Sequence, residues 1–294
     1  MNIQVPSGHY VLAVSGGVDS MVLLDIMRQL PDVRVTVAHF DHGIRDDSHQ
    51  DRQLIQDVTR AHQIPFVYNK GDLGAGTSEA VARQARYEFL HQARQASGAG
   101  AIITAHHQDD RLETAIINLI RGTGRKGLSS LRSTDVVVRP LLGYDKQQIK
   151  DYAQAHNIQW REDSTNSDDA YLRNYVRQNI TSKFTPAQRQ QLLQYIDSAQ
   201  HTNQELEQLL AVQLHIQPAL DQINRSWFIR LPHDVAKEVL ASWLRRHQVE
   251  FDRKGLERLV VAAKTYQPHK RADISAGYYL DVQAKYLALG RPDR

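Results

Sequence analysis

The stretch from Tyr10 to Asp32 constrains the fold of this chain more than any other. Tyr10–Val14 is an apolar run long enough for a buried strand, and the next six residues, SGGVDS, favour a turn. Met21–Leu30 then has apolar residues at helical spacing and stops before Pro31. A strand, a glycine turn and a helix in this order form an anion site, because the N–H groups at the helix N-terminus point at the anion. The predicted phosphate-binding loop consists of Ser15, Gly16, Gly17, Val18, Asp19 and Ser20.

This loop differs from the two most familiar phosphate-binding loops. It lacks the lysine of a Walker A loop, and it has no GxGxxG fingerprint for a dinucleotide. The alternative to a phosphate loop is a purely structural turn between a strand and a helix.

Strands and helices continue to alternate after the loop. Further strands are predicted at Val33–Ala38, Pro65–Tyr68, Ala101–Thr104 and Val136–Val138. Helices are predicted at Asp46–His62, from Thr77 or Ser78 to Ala96, from His107 to Gly122, and at Asp145–His156. This order predicts an α/β fold with a doubly wound, mainly parallel sheet. Motifs beginning at Ser15, His39 and Ala105 each follow a strand, so we expect them to form one site at the carboxyl edge of the sheet.

The second part of the chain is predicted to be smaller and mainly helical. We expect a catalytic domain over 1–185, a connecting helix over 186–217 and a small domain over 218–294. Within the last domain the pattern predicts a strand at Ser226–Leu231, helices at Asp234–Gln248 and Asp252–Thr265, and a terminal hairpin.

Charge and cysteine content limit the class of function. Arg225–Arg294 holds 14 Lys and Arg against 8 Asp and Glu, a net charge of +6, while the whole chain carries +3. A basic region on a near-neutral body suggests a polyanion partner, and ordinary solvated helix faces are the alternative. With no Cys, the chain has no disulfide, thiolate zinc site or catalytic cysteine. We expect a cytoplasmic protein with no membrane span and no amino-terminal leader.

Two helices are predicted to present charged pairs to the site. Asp110 and Glu113 are three residues apart and share a helix face, where they can hold Mg²⁺ between phosphates or bind an ammonium group. The alternative is an acidic helix start stabilised by the helix dipole. Arg83 and Arg86 share a face in the same way and suit developing phosphate charge, although Glu79 can also form an ion pair with Arg83.

A third cluster lies in the polar stretch from Trp160 to Ile180. Arg173, Asn174 and Arg177 alternate with Tyr171 and Tyr175, a combination that suits RNA phosphates and unstacked bases. The alternative is a capped helix with exposed arginines. His39 and His42 lie beside Asp41 in HFDHGIR, and we interpret them as neutral side chains near a phosphate and not as zinc ligands.

SGGVDS resembles the pyrophosphate loop of the N-type ATP pyrophosphatases, which have the adenine-nucleotide α-hydrolase fold. The full ordered set resembles the tRNA(Ile)-lysidine synthetase family over about Tyr10 to Arg177. It consists of SGGVDS, HFDHGIR, SEAVARQARY, AHHQDDRLET, RGTGRKGL, RPLL and EDSTNSDDAYLRNYVR. Longer family members have a further carboxyl-terminal domain, which we expect this chain to lack.

The resemblance implies a ligase that uses ATP, Mg²⁺, L-lysine and tRNA(Ile) with a CAU anticodon. The wobble cytidine is adenylylated with loss of pyrophosphate, and lysine then displaces AMP to form lysidine. The implied catalytic residues are Asp19, Arg86, Asp110 and Glu113, with Asp19 and Asp110 as metal ligands. The implied ATP-binding residues are Ser15, Gly16, Gly17, Val18, Asp19, Ser20, His39, Asp41 and His42. The implied tRNA contacts are Arg83, Arg121, Arg173, Asn174 and Arg177.

Other functions fit the sequence less well. A tRNA thiolase of the same superfamily needs cysteine, which the chain lacks, and a non-catalytic RNA-binding module has no use for Asp19, Asp110 and Glu113 together. We also expect that the chain can form a homodimer.

Overall fold

The structure is a computed structural model that describes residues 1–43, 47–71, 77, 79–123, 125–162, 172–215 and 222–291. The chain divides into two compact units, Met1–Gln200 and His201–Arg294. The boundary falls inside one long helix, and the domain limits expected from the sequence stay a prediction.

The first unit is built on a five-stranded parallel sheet. Its strands are β1 (Gly8–Ala13), β2 (Val33–Asp41), β3 (Phe66–Lys70), β4 (Ala101–Ile103) and β5 (Val137–Val138). They lie in the order β3-β2-β1-β4-β5, and all neighbouring pairs are parallel. The direction of strand progression reverses at β1, so a crevice opens where the carboxyl ends of β1 and β4 meet.

Eight helices of the described residues belong wholly or partly to this unit. They are α1 (Val18–Met27), α2 (Ser48–Ala61), α3 (Glu79–Ser97), α4 (Gln108–Ile120), α5 (Arg125–Leu128), α6 (Lys146–Ala155), α7 (Leu172–Asn179) and α8 (Pro186–His215). A 3₁₀ turn, Thr181–Lys183, separates the last two.

Apolar residues cover both faces of the central strand, which is why helices pack on both sides of the sheet. Leu12 of β1 joins a core with Val22 of α1 and Ile149 of α6, whereas Val11 packs with Leu90 of α3 on the other face. Successive strand residues point to opposite faces, so the two cores follow directly from the run YVLAV. The prediction of a doubly wound, mainly parallel sheet is confirmed.

The second unit combines helices with an antiparallel sheet. Its further helices are α9 (Arg225–Arg230), α10 (His233–Arg246) and α11 (Arg253–Thr265), and its strands are β6 (Gln222–Asn224), β7 (Lys270–Asp273), β8 (Tyr279–Val282) and β9 (Tyr286–Gly290). The strand order is β6-β9-β8-β7. Trp243 and Phe228 are among the fully buried side chains of its core.

The strand predicted at Ser226–Leu231 is wrong, because these residues form α9. The Asn224 side chain caps this helix by accepting a hydrogen bond of 3.0 Å from the N–H of Trp227. The buried residues Arg225 and Phe228 are three apart, which is helical spacing. A short apolar run fits both a strand and a buried helical turn, so the pattern of this segment could not distinguish the two.

Among the residues that the structure describes, no helix combines the length and apolarity needed to cross a bilayer.

Candidate active site

The predicted phosphate loop lies at the carboxyl end of β1 and opens α1. Ser20 ties the loop together: its hydroxyl donates to the Gly17 carbonyl at 2.9 Å and accepts from the Ser15 N–H at 3.1 Å. Gly17 is the N-cap of α1, and no side chain caps the helix there. The first N–H groups of α1 are therefore available to an anion, as the sequence predicted.

Gly16 fits its place in the loop because it has no side chain. Its φ is +92°, and a Cβ atom there would lie 3.2 Å from the Cβ of Asp51. The Gly16 carbonyl accepts a hydrogen bond of 3.0 Å from the Arg161 N–H, and the Arg161 guanidinium contacts Asp51 and Asp47 at 2.8 Å each. Arg161 thereby fastens the loop to α2.

Asp19, the acidic residue of the loop, forms an ion pair that sequence reasoning missed. Lys146, the first residue of α6, places its Nζ 2.7 Å from both carboxylate oxygens of Asp19. The backbone N–H of Lys146 donates to Asp109 at 2.9 Å. These contacts bring the start of α6 into the crevice between the two strands.

His107 lies at the centre of three carboxylates. Its Nε2 is 3.8 Å from Asp19 and 3.6 Å from Asp110, and its Nδ1 is 3.5 Å from Asp109. Burial alone would lower the pKa of His107, but the three carboxylates together raise it above its ordinary value.

Asp110 and Asp109 keep their negative charge in this cluster. Burial would raise the pKa of Asp110, but the electrostatic interaction with His107 and the hydrogen bond from the His107 N–H lower it below its ordinary value. Burial likewise opposes ionisation of Asp109, yet His107 and the Arg189 guanidinium hold the pKa of this carboxyl well below its usual range. Asp110 also accepts the His107 N–H at 2.9 Å and so caps α4.

Glu113 lies one turn further along α4 and is engaged by α7. Its side chain is 1% exposed, and it accepts hydrogen bonds from Arg177 at 2.7 and 3.1 Å. Arg173 stands 4.0 Å from Glu113 and 3.7 Å from Asp110. Burial raises the pKa of Glu113, and the Arg177 guanidinium counteracts this effect only in part. In this arrangement Glu113 orients α7 and has both oxygens occupied.

The other residues predicted to contact tRNA differ in their exposure. Asn174 is 7% exposed and lies among the buried polar groups of the unit. Arg121 follows α4 and is exposed.

Three guanidiniums gather around the side chain of Tyr87. Arg83 and Arg86 lie over the ring of Tyr87, with their Cζ atoms 4.8 and 5.7 Å from its centroid. Arg139, which sequence reasoning missed, donates to the Tyr87 hydroxyl at 3.5 Å. Burial lowers the pKa of His106 to about 3, and Asp110 opposes this effect while the three arginines add to it. His106 is therefore neutral.

His39 and Asp41 at the end of β2, and His42 directly after it, have structural contacts. His39 is 4% exposed, and its Nδ1 donates to the Val14 carbonyl at 2.8 Å. Asp41 accepts hydrogen bonds of 2.8 Å from the Gly43 N–H and from the Ser48 hydroxyl. His42 packs edge-on against Phe40. His39 thus ties β2 to Val14, the residue that precedes the phosphate loop.

Parts of the predicted motifs lie outside the described residues. These parts are Ile44 and Arg45 of HFDHGIR, Ser78, Gly124, and 163–171 of the polar cluster, which includes Tyr171.

The donor set of the crevice suits Mg²⁺ more than a transition metal. No group of three or more His, Cys, Asp or Glu side chains suited to a metal occurs in the described part of the chain. Asp19 and Asp110 both stand within 4 Å of one imidazole nitrogen. Two carboxylates fit Mg²⁺, which takes its remaining ligands from phosphate and water.

A family model supports the reading of the loop. The model of the PP-loop domain, an ATP-binding family, matches residues 2–184. The chain belongs to the PP-loop family. In this PP-loop protein the matched region contains the whole parallel sheet and the phosphate loop, whereas Arg189, the partner of Asp109, lies beyond it.

Curated relatives of this PP-loop protein include tRNA(Ile)-lysidine synthases. That of Thermotoga maritima is 37% identical over 182 residues, which cover 58% of this chain and 44% of the relative. That of Enterococcus faecalis is 33% identical over 241 residues, which cover 77% of this chain and 51% of the relative. The chain spans about half the length of these curated relatives.

A solved structure shares the fold. The U34-tRNA thiolase NcsA from Methanococcus maripaludis matches with a TM-score of 0.54 and 13% identity, over 67% of this chain and 74% of that one. This likeness shows a common architecture of the sheet and helices.

Proposed function

We propose that this PP-loop protein forms lysidine on tRNA(Ile) with a CAU anticodon. In the first step the C2 oxygen of the wobble cytidine attacks the α-phosphate of ATP, and pyrophosphate leaves. In the second step the ε-amine of L-lysine attacks C2, loses a proton, and expels AMP. The product pairs with A, so the tRNA reads AUA in place of AUG. We place this reaction in the cytoplasm.

The observation that carries this proposal is the separation of charge within one crevice. The N–H groups at the start of α1 and the guanidiniums of Arg83, Arg86 and Arg139 suit phosphate, whereas the carboxylates of Asp19, Asp109 and Asp110 surround His107 and suit an ammonium group. A reaction that adenylylates a cytidine with ATP and then replaces AMP by the amine of lysine needs both kinds of surface. The relatives named tRNA(Ile)-lysidine synthase supply the identity of the substrates.

In the first step the protein positions ATP and stabilises the charge that develops on its phosphates. The free N–H groups of α1 bind phosphate oxygens, and Lys146 together with Arg86 balances negative charge at the reacting centre. Mg²⁺ would be held by Asp19 and Asp110, and it neutralises phosphate charge when bound.

In the second step the anionic group binds the lysine that enters. Asp110 presents a carboxylate whose pKa is lowered, so it stays charged and attracts an ammonium group. Glu113 acts through Arg177 and Arg173, which it holds beside Asp110. We infer that Arg173 and Arg177 contact the RNA next to the reacting cytidine.

Mass analysis of nucleosides tests the proposal. The chain is incubated with ATP, Mg²⁺, L-lysine and CAU-anticodon tRNA(Ile), and the digested RNA is examined for lysidine. We expect lysidine to form only when all four components are present, and adenylylated cytidine to accumulate when lysine is omitted. Binding of RNA without release of pyrophosphate would instead support an RNA-binding module, and a sulfur-containing nucleoside would support a thiolase.

A further inference from the structure

We propose that a basic pocket beside the crevice binds a backbone phosphate of the RNA. The pocket has a volume of about 350 Å³ and is lined by Arg111, Arg132 and Arg139 together with Ser133 and Asp197. We call it the arginine pocket. The proposal rests on the proposed function, because it assigns a further part of the same substrate to residues outside the reacting centre.

Arg139 connects the arginine pocket to the candidate active site. Its guanidinium donates to the carbonyls of Arg132 and Val137 and to the Tyr87 hydroxyl, which are all neutral acceptors. The Tyr87 ring that it contacts also lies under the guanidiniums of Arg83 and Arg86. Neutral acceptors fix the side chain without cancelling its positive charge, so this charge remains available to attract an anion.

The charges of the pocket are unequal in number. Arg111 forms an ion pair with Asp197, which is the one carboxylate among the described residues that line the pocket. The ion pair leaves the positive charges of Arg132 and Arg139 without a matching carboxylate in the lining. Arg132 is exposed, so its guanidinium can reach a ligand that approaches from solvent.

The position of the pocket favours RNA over free nucleotide phosphates. Pro140 and Leu142 of its wall follow β5, and β5 lies beyond β4 in the order β1-β4-β5. The phosphate loop follows β1, on the other side of β4. An RNA strand whose base enters the crevice therefore has its neighbouring phosphates within reach of the pocket. Arginine suits this role because its planar fork matches phosphate oxygens.

RNA binding at several salt concentrations tests the arginine pocket. The probe is a labelled CAU anticodon stem-loop, and binding is measured without ATP or lysine on Arg132→Ala, Arg132→Lys and wild type. One lost phosphate contact lowers the slope of log K against log salt by about 0.7. If the variant and wild type bind equally at about 1 M salt, this change makes binding by the variant about fivefold weaker at about 0.1 M salt. We expect this change in Arg132→Ala and a nearly wild-type slope in Arg132→Lys.

Arg34→Ala is the matched control. Arg34 is also exposed, but it lies near the amino end of β2, at the opposite edge of the sheet. We expect this variant to bind RNA like wild type, and ATP affinity serves as the measure of correct folding for all variants. An unchanged slope in Arg132→Ala, or an equal loss in Arg34→Ala, overturns the proposal.

Pyrophosphate distinguishes the two sources of phosphate. Arg132→Ala could weaken the inhibition of lysidine formation by added pyrophosphate and still keep the wild-type slope of log K for RNA binding against log salt. In that case the pocket binds a free anion and the RNA assignment is wrong. Because RNA binding is measured without catalysis, a wild type that makes no lysidine refutes the proposed function alone, whatever the slope. A wild type that makes lysidine, with an unchanged slope in Arg132→Ala, refutes the pocket alone.

Discussion

Replacing Glu113 by glutamine tests the contact that joins α4 to α7. Glu113 is 1% exposed and accepts two hydrogen bonds from Arg177. A hydrogen bond to a charged group contributes about 1.5–3 kcal/mol. Glutamine keeps one acceptor, and the Arg177 side chain is 39% exposed, so water compensates part of the loss. We expect Glu113→Gln to lower the free energy of unfolding by about 2–3 kcal/mol, or Tm by about 4–12 °C.

Arg177→Met separates the charge effect from packing. Without the guanidinium, the buried carboxyl of Glu113, whose pKa burial already raises, has a folded-state pKa still further above the unfolded value. A raised pKa adds stability below the unfolded pKa of about 4.3, and this stability is lost as pH rises through the folded pKa. Arg177→Met is therefore less stable relative to wild type at pH 8 than at pH 5, whereas the loss in Glu113→Gln, which has no titrating carboxyl at this position, does not grow as pH rises.

Thermal unfolding of both single variants and the double variant measures the coupling. We expect a coupling free energy of about 1–2 kcal/mol, since each single change removes the same pair. Any one of three results contradicts this interpretation. Both single variants could lose less than about 0.5 kcal/mol of unfolding free energy, their effects could be additive, or the stability of Arg177→Met relative to wild type could be independent of pH.

Three further changes address the phosphate loop and its neighbours. Asp19→Ala is expected to abolish pyrophosphate release while tRNA binding measured by anisotropy stays near wild type, and normal turnover would remove the loop from the mechanism. Lys146→Met removes the cation that contacts Asp19 and is expected to slow adenylylation about ten- to a hundredfold in rapid-quench assays. Lys150→Met, one turn along the same helix, is its control, and an equal loss in the control would contradict a specific role. Because the pKa of Asp109 is depressed, its contribution to stability is present above about pH 4 and is lost as pH falls through the folded value, so Asp109→Asn is expected to show a shallower acid loss in denaturant titrations.

Local patterns in the sequence predict the sheet and the loop well. The run at Tyr10–Val14 packs against apolar cores on both sides of the sheet. A strand that is buried on both faces can be predicted from such a continuous run of apolar residues. The spacing of Asp110 and Glu113 likewise places both on one helix, and the strand ends bring them to the crevice. These inferences succeed because each depends on residues that are close in the chain.

Residues whose role depends on distant contacts escape the same reasoning. Lys146 reaches Asp19 across 127 positions, and its own surroundings in the sequence show only the start of a helix. The sequence reading noted RPLL but could not place the Arg139 guanidinium beside Tyr87 and His106, because this contact requires β5 to pair with β4. Burial of Glu113 under Arg177 similarly requires α7 to pack on α4.

The contacts of His107 and His106 show how adjacent residues of one type acquire different pKa values. Three carboxylates raise the pKa of His107, whereas burial and the charges of three arginines lower the pKa of His106. A neutral His106 adds nothing to the repulsion among the arginines, so these can stay close enough to share one anion. The three carboxylates around His107 have cationic partners of their own, since Lys146 contacts Asp19, Arg189 contacts Asp109 and Arg173 stands 3.7 Å from Asp110. The crevice can therefore keep both surfaces assembled before its substrates arrive, which reduces the reorganisation that phosphate transfer requires.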